Sequence, residues 1–123
     1  MQWRLEIAKI LVVEDDPSLR VVLRLVLEQA GHEMTEAPHG RAALDQLDRD
    51  VPDLMLVDSR MPILDGAGLI ERVRANPAYE SIPIVLLTGF SDAHPGADAL
   101  VKKPFEKADL LKVVANLLDL APK

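Results

Sequence analysis

Three consecutive carboxylates, Glu14, Asp15 and Asp16, stand directly after the apolar run KILVV (9–13), and other chemically able groups follow later apolar runs in the same way. Asp58 ends DLMLVD (53–58), Thr88 ends IPIVLLT (82–88), and DALVK (98–102) runs into Lys102 and Lys103. Carboxylates a few ångströms apart repel by on the order of a few kcal/mol at an effective dielectric near 20, so gathering them requires a counter-charge. An oxygen-only donor set without His or Cys suits a hard divalent cation, and Mg²⁺, which keeps several waters and accepts a phosphate oxygen, fits best. A lysine supplies a mobile point charge for a phosphate, and a threonine hydroxyl a neutral hydrogen bond. Glu14, Asp15, Asp58, Thr88 and one lysine together describe a site that makes and holds a phosphoryl group on a carboxylate.

The elements that must position these groups alternate along the chain. The β-branched run at 9–13, the weakly alternating segment at 32–37 and the short apolar runs at 53–58, 82–88 and 98–102 read as strands. Between the earlier strands, Leu19, Val22, Leu23, Val26 and Ala30 recur at helical spacing after Pro17 and before Gly31. Ala43, Leu44 and Leu47 do so after Gly40, and Leu69, Ile70 and Val73 before Asn76–Pro77. KADLLKVVANLLDL (107–120) is a last amphipathic helix. Alternating strands and helices imply a parallel sheet covered on both faces, with the functional groups gathered at the carboxyl ends of the strands.

ILVVEDD, DLMLVDSRMPILDG, LLTG and VKKPF, in this order and across essentially the whole chain, closely resemble the receiver domain of two-component response regulators. The resemblance implies a flavodoxin-like (CheY-like) three-layer α/β fold over a single domain, 1–123, with a five-stranded parallel sheet in order 2-1-3-4-5. It implies that Asp58 is the phosphoacceptor, that Thr88 follows the phosphoryl group and that Lys103 binds it. Mg²⁺ would be held by Asp15 and Asp58 directly, by Glu14 through water, and by the backbone carbonyl of Arg60. The implied donor is a histidine kinase or a histidine phosphotransfer protein, and the implied output is altered binding to a downstream protein partner, with a homodimer as a further possibility. Asp16 and Lys102 are then neighbours of the site. The alternative is a receiver-like interaction module that works without phosphorylation.

The rest of the composition narrows the field. At 123 residues the chain has room for one core, and no stretch approaches the roughly 20 apolar residues of a membrane span. A formal net charge of −6 with scattered Lys and Arg argues against direct nucleic-acid binding. The absence of cysteine removes a disulfide framework and leaves a cytoplasmic location as the expectation. Phosphohydrolases of the haloacid dehalogenase type also use an aspartate nucleophile, Mg²⁺ and a lysine, but they need an acid two residues past the nucleophile, where this chain has Arg60. The protein is therefore not expected to be an enzyme. His32, His39 and His94 receive no chemical role, and Met55 and Met61 read as packing residues.

Two features depart from the resemblance. Only GFSDAHPGADALVK separates Thr88 from Lys103, with Pro95 and Gly96 inside it, so the fourth helix is expected to be missing or vestigial, leaving an apolar flank beside Val85, Leu87 and Val101. Leu100 stands where receivers often carry an aromatic switch residue. On the first helix, Val21 and Leu25 lie off the expected core stripe and suggest a docking face.

Overall fold

The computed structural model describes residues 8–90 and 93–120. Five strands, β1 (Lys9–Val13), β2 (Glu33–Ala37), β3 (Leu54–Asp58), β4 (Ile84–Thr88) and β5 (Ala99–Lys102), form one parallel sheet in the order β2-β1-β3-β4-β5. Four helices accompany them: α1 (Pro17–Gln29), α2 (Gly40–Leu47), α3 (Gly66–Ala75) and α4 (Lys107–Leu120). β3 and β4 are buried at every position, as strands covered on both faces must be. Alternate residues divide between two cores. Ile10, Val12, Leu54, Leu56, Val85 and Leu87 pack against α1 and α4, whereas Leu11, Val13, Met55, Val57, Ile84 and Leu86 pack against α2 and α3.

α1 begins where its chemistry allows. The Asp16 side chain accepts from the Ser18 N–H at 2.9 Å, Pro17 occupies the first turn, and Gly31 at φ 92° takes the left-handed position beyond the last turn. Its buried residues are Leu23, Val26 and Leu27, with Leu19 packed against them, an i, i+4, i+7, i+8 stripe. Val22, expected on that stripe, is instead 47% exposed and joins Val21 and Leu25 on the outer face.

The expectation of a missing or vestigial fourth helix is overturned. The described residues form four helices, and the fourth, α4, runs for 14 residues. Its Leu110 and Val114 are fully buried in the same core as Val85, Leu87 and Val101, so the apolar flank expected there is covered. The expectation drew on the short link between β4 and β5, whose described residues, 89–90 and 93–98, run in bends and turns. What decides the coverage of Val85 and Leu87 is the apolar stripe of α4, which packs on their face of the sheet.

Arg74 fastens this link to α3. Its Nε donates to the Gly96 carbonyl at 2.8 Å and its Nη2 to the Asp98 carboxylate at 2.9 Å, while Nη1 donates to the carbonyls of Glu80 and Ile82, each at 2.7 Å. Asp98 in turn accepts the Ile84 N–H at 2.8 Å, where β4 begins.

The β3–α3 loop carries one strained residue. Ile63 sits at φ 72°, a region that β-branched side chains rarely enter, yet its side chain is 76% exposed and repays little of the strain by packing. Ile63→Gly is therefore expected to raise the unfolding free energy by about 1 kcal/mol, the relieved strain exceeding the added freedom of the unfolded chain. A urea denaturation midpoint below the parent's would contradict this.

Candidate functional site

Each strand delivers its chemical group by ending at the same edge. β1 ends in Val13, and the next residue, Glu14, turns into the interior, held there because its N–H donates to the Ala37 carbonyl of β2 at 3.1 Å. β3 ends in Asp58. α3 starts close behind it: a Cβ on Gly66 would stand 2.5 Å from the Asp58 carbonyl oxygen, so only glycine permits this approach. β4 ends in Thr88, whose carbonyl accepts the Lys103 N–H at 2.7 Å, carrying the lysine back over the site from β5.

Glu14 is 1% and Asp58 5% exposed, while Asp15 faces solvent. One carboxylate oxygen from each of Glu14, Asp15 and Asp58 lies within 4.8 Å of the others. The Lys103 ammonium bridges the buried pair, with Nζ at 2.8 Å from Asp58 Oδ1 and 3.0 Å from Glu14 Oε1. Thr88 is fully buried, and its hydroxyl oxygen accepts the Phe90 N–H at 3.0 Å. Arg60 lays its guanidinium 3.8 Å above the centre of the Phe90 ring, a cation–π stack.

The sequence-expected set thus converges. Glu14, Asp15, Asp58 and Lys103 form one cluster, and Thr88 joins it through the backbone of Lys103. Asp16 caps α1, and Lys102 is exposed on β5. His39 caps α2 by accepting the Ala42 N–H at 3.1 Å. Met55 is buried, and Met61 packs partly buried on the α2 and α3 side.

Burial, the largest influence, pushes the Glu14 carboxyl up to about 7; hydrogen bonds from Lys103 and the Asp16 N–H oppose it, and the Asp58 charge adds to the rise. For Lys103, burial pulls the ammonium down, but its bonds and charge interactions with Asp58 and Glu14 outweigh that and raise it. A carboxyl raised above its unfolded value near 4.5 holds its proton more tightly in the folded chain. Its contribution is full below pH 4.5 and is lost as pH rises through about 7. Without divalent ions, the unfolding free energy is expected to fall by up to about 3 kcal/mol over that window through this group. Glu14→Gln should flatten the fall; a pH profile equal to the parent's would contradict it.

The family model described as "Response regulator receiver domain" matches residues 10–115. The chain belongs to the response regulator receiver domain family. An uncharacterised 14.6 kDa protein of Leptolyngbya boryana is 38% identical over 112 residues, covering 85% of this chain and 86% of its own length. The crystal structure of a putative response regulator from Chloroflexus aurantiacus superposes with a TM-score of 0.87 at 35% identity, covering 93% of this receiver and 99% of that chain. The receiver domain of the sensor histidine kinase PA1611 of Pseudomonas aeruginosa, with a magnesium ion coordinated in its active-site cleft, superposes at 0.83 with 27% identity over 93% and 99%. This receiver spans about half the length of the curated transcriptional regulators it matches. Among its described residues no helix is long and apolar enough to cross a membrane.

Sequence spacing pointed to every residue of the cluster, with the family resemblance choosing Lys103 over Lys102, but not to the Arg60–Phe90 stack, whose members lie far apart in the chain and form no local pattern. The Gly66 approach was also missed, although the DG pair at 65–66, immediately before the helix, was a signal for it.

Proposed function

We propose that this receiver is a two-component phosphoacceptor in which Asp58 takes the phosphoryl group of a phosphohistidine. An Asp58 carboxylate oxygen forms the new O–P bond as the N–P bond breaks, and the electron pair returns to the donor imidazole, which then takes up a proton. The observation that carries the reading is the nearly buried Asp58 carboxylate with the Lys103 ammonium 2.8 Å away and the Asp15 and Glu14 oxygens beside it. Lys103 is mobile enough to move from carboxylate to phosphoryl oxygen, and the Thr88 hydroxyl can donate to a second.

The donor set fits Mg²⁺: three carboxylates, no nitrogen or sulfur ligand, and a geometry that admits one ion and its waters. Asp15, Asp58, Glu14 through water and the Arg60 carbonyl would hold it. When bound, Mg²⁺ supplies charge neutralisation to the phosphoryl oxygens. The exposed Val21, Val22 and Leu25 of α1 provide the apolar face on which the histidine-bearing donor docks. The receiver is modified rather than turning over substrate, acts in the cytoplasm, and passes its state to a downstream protein.

Incubation with a small phosphodonor and Mg²⁺ should add the mass of one phosphoryl group to the intact parent and none to Asp58→Asn. An unmodified parent would favour an interaction module that works without phosphorylation. Arg60 and Phe90, each two residues past a site residue, stack on one another, and we infer that the pair shields the aspartyl phosphate from water. Truncating both residues to alanine is therefore expected to shorten the phosphorylated lifetime about tenfold, equivalent to about 1.4 kcal/mol of barrier. An unchanged decay rate would show that the stack shields nothing.

A further inference from the structure

We propose that Arg20, on α1, is a positioning residue for the divalent-ion site, acting through the peptide that joins Glu14 to Asp15. The inference rests on the Mg²⁺ reading given under Proposed function. Arg20 Nη1 donates to the Glu14 carbonyl oxygen at 2.6 Å, and its Nε donates to Glu36 Oε1 of β2 at 2.9 Å. The Glu14 N–H is already tied to Ala37 on the same strand, so β2 grips the Glu14 backbone from both sides, directly at the nitrogen and through Arg20 at the carbonyl. The gripped carbonyl belongs to the peptide bond shared by Glu14 and Asp15, so its orientation sets the directions in which both carboxylates leave the chain.

The other restraints act on the Glu14 carboxylate, Lys103 Nζ at 3.0 Å from Oε1 and the Asp16 N–H donating to Oε2 at 3.2 Å. Arg20 is the side chain that fixes the peptide between the two acids to the sheet. An ion needs its oxygens held to within a fraction of an ångström, and groups that orient ligands without touching the ion change affinity by about 10- to 100-fold.

Arg24 supplies an internal control. It binds the same Glu36 carboxylate through Nε at 3.2 Å and through Nη2, and it donates to the Met34 carbonyl at 3.3 Å, but it does not reach Glu14. A purely structural role predicts that the two arginines behave alike. Positioning predicts that they separate. Loss of a positive charge near the carboxylates would strengthen cation binding, so a charge-conserving change isolates the geometry. A lysine at position 20 keeps the charge but has one nitrogen where Arg20 uses two, on acceptors in different elements.

Magnesium chloride is titrated into the full chain, with binding followed by the amide shifts of Asp15 and Asp58 and unfolding midpoints measured without the ion. Arg20→Lys is expected to weaken Mg²⁺ binding about tenfold, while Arg24→Lys keeps the parental affinity although both lower the midpoint. Parental affinity in Arg20→Lys, or an equal loss in both variants, overturns the inference and leaves the Mg²⁺ reading standing. A parent that binds no Mg²⁺ at millimolar concentration overturns both. If Arg20→Lys does not fold, Glu36→Asp, which keeps the charge and both arginines but draws the anchoring carboxylate back by one methylene, is expected to weaken binding in the same direction, and unchanged binding there overturns the inference.

Discussion

Lys103→Met is expected to lower the unfolding free energy of the ion-free protein by about 3 kcal/mol at pH 8. The substitution keeps the length and much of the volume of the side chain but removes the one ammonium placed at 2.8 and 3.0 Å from two carboxylates that are themselves almost wholly buried. Breaking a buried ion cluster by deleting one partner costs more than the cluster contributed, because the surviving charges stay desolvated. The loss should shrink as pH falls through about 7, where Glu14 takes up a proton, and should shrink when Mg²⁺ replaces the missing positive charge. Urea denaturation at pH 8 and pH 5.5, with and without Mg²⁺, reads all of this. A loss below about 1 kcal/mol that ignores both pH and Mg²⁺ would mean that the lysine is a solvated surface charge.

Asp15→Ala is expected to weaken Mg²⁺ binding about a hundredfold, or about 2.7 kcal/mol, whereas Asp16→Ala, one residue on, should leave the ion affinity near the parent's and instead cost about 1 kcal/mol of stability. The contrast follows from what the neighbouring carboxylates do. Asp15 offers an oxygen within 4.8 Å of those of Glu14 and Asp58, while Asp16 spends its side chain on the Ser18 N–H at the start of α1. Calorimetric titration of the two variants separates the roles. Equal affinities would remove Asp15 from the ion site.

The strands and the edge where their functional groups meet were legible because a parallel sheet writes itself as short apolar runs, and the residue after each run has only one place to go. That logic carried Glu14, Asp58 and Thr88 to their positions without any long-range information and narrowed the lysine to Lys102 or Lys103, between which the family resemblance chose Lys103. Helix coverage was less legible. Val85, Leu87 and Val101 were expected to lack a covering helix because of the short link between β4 and β5, but a sheet has two faces. These three point toward the side filled by Leu110 and Val114 of α4. Assigning a strand residue to a face needs the parity of the whole sheet, which local patterns do not give. Val22 was misplaced for a related reason: Leu27 was left out of the stripe, and including it rotates the buried face of α1 toward Leu23, Val26 and Leu27. Arg20 and the Arg60–Phe90 stack were invisible because long cationic side chains at such positions usually end in water, and only three-dimensional proximity supplies their partners.

Borohydride trapping tests the central claim most directly, since it reduces an aspartyl phosphate to homoserine and leaves a free carboxylate alone. After incubation with a small phosphodonor and Mg²⁺, reduction and proteolysis, peptide mass mapping is expected to find homoserine at position 58 and an unmodified aspartate at positions 15 and 16. Homoserine at position 15, or an intact Asp58 in protein that has gained a phosphoryl group, would contradict the assignment of Asp58 as the acceptor.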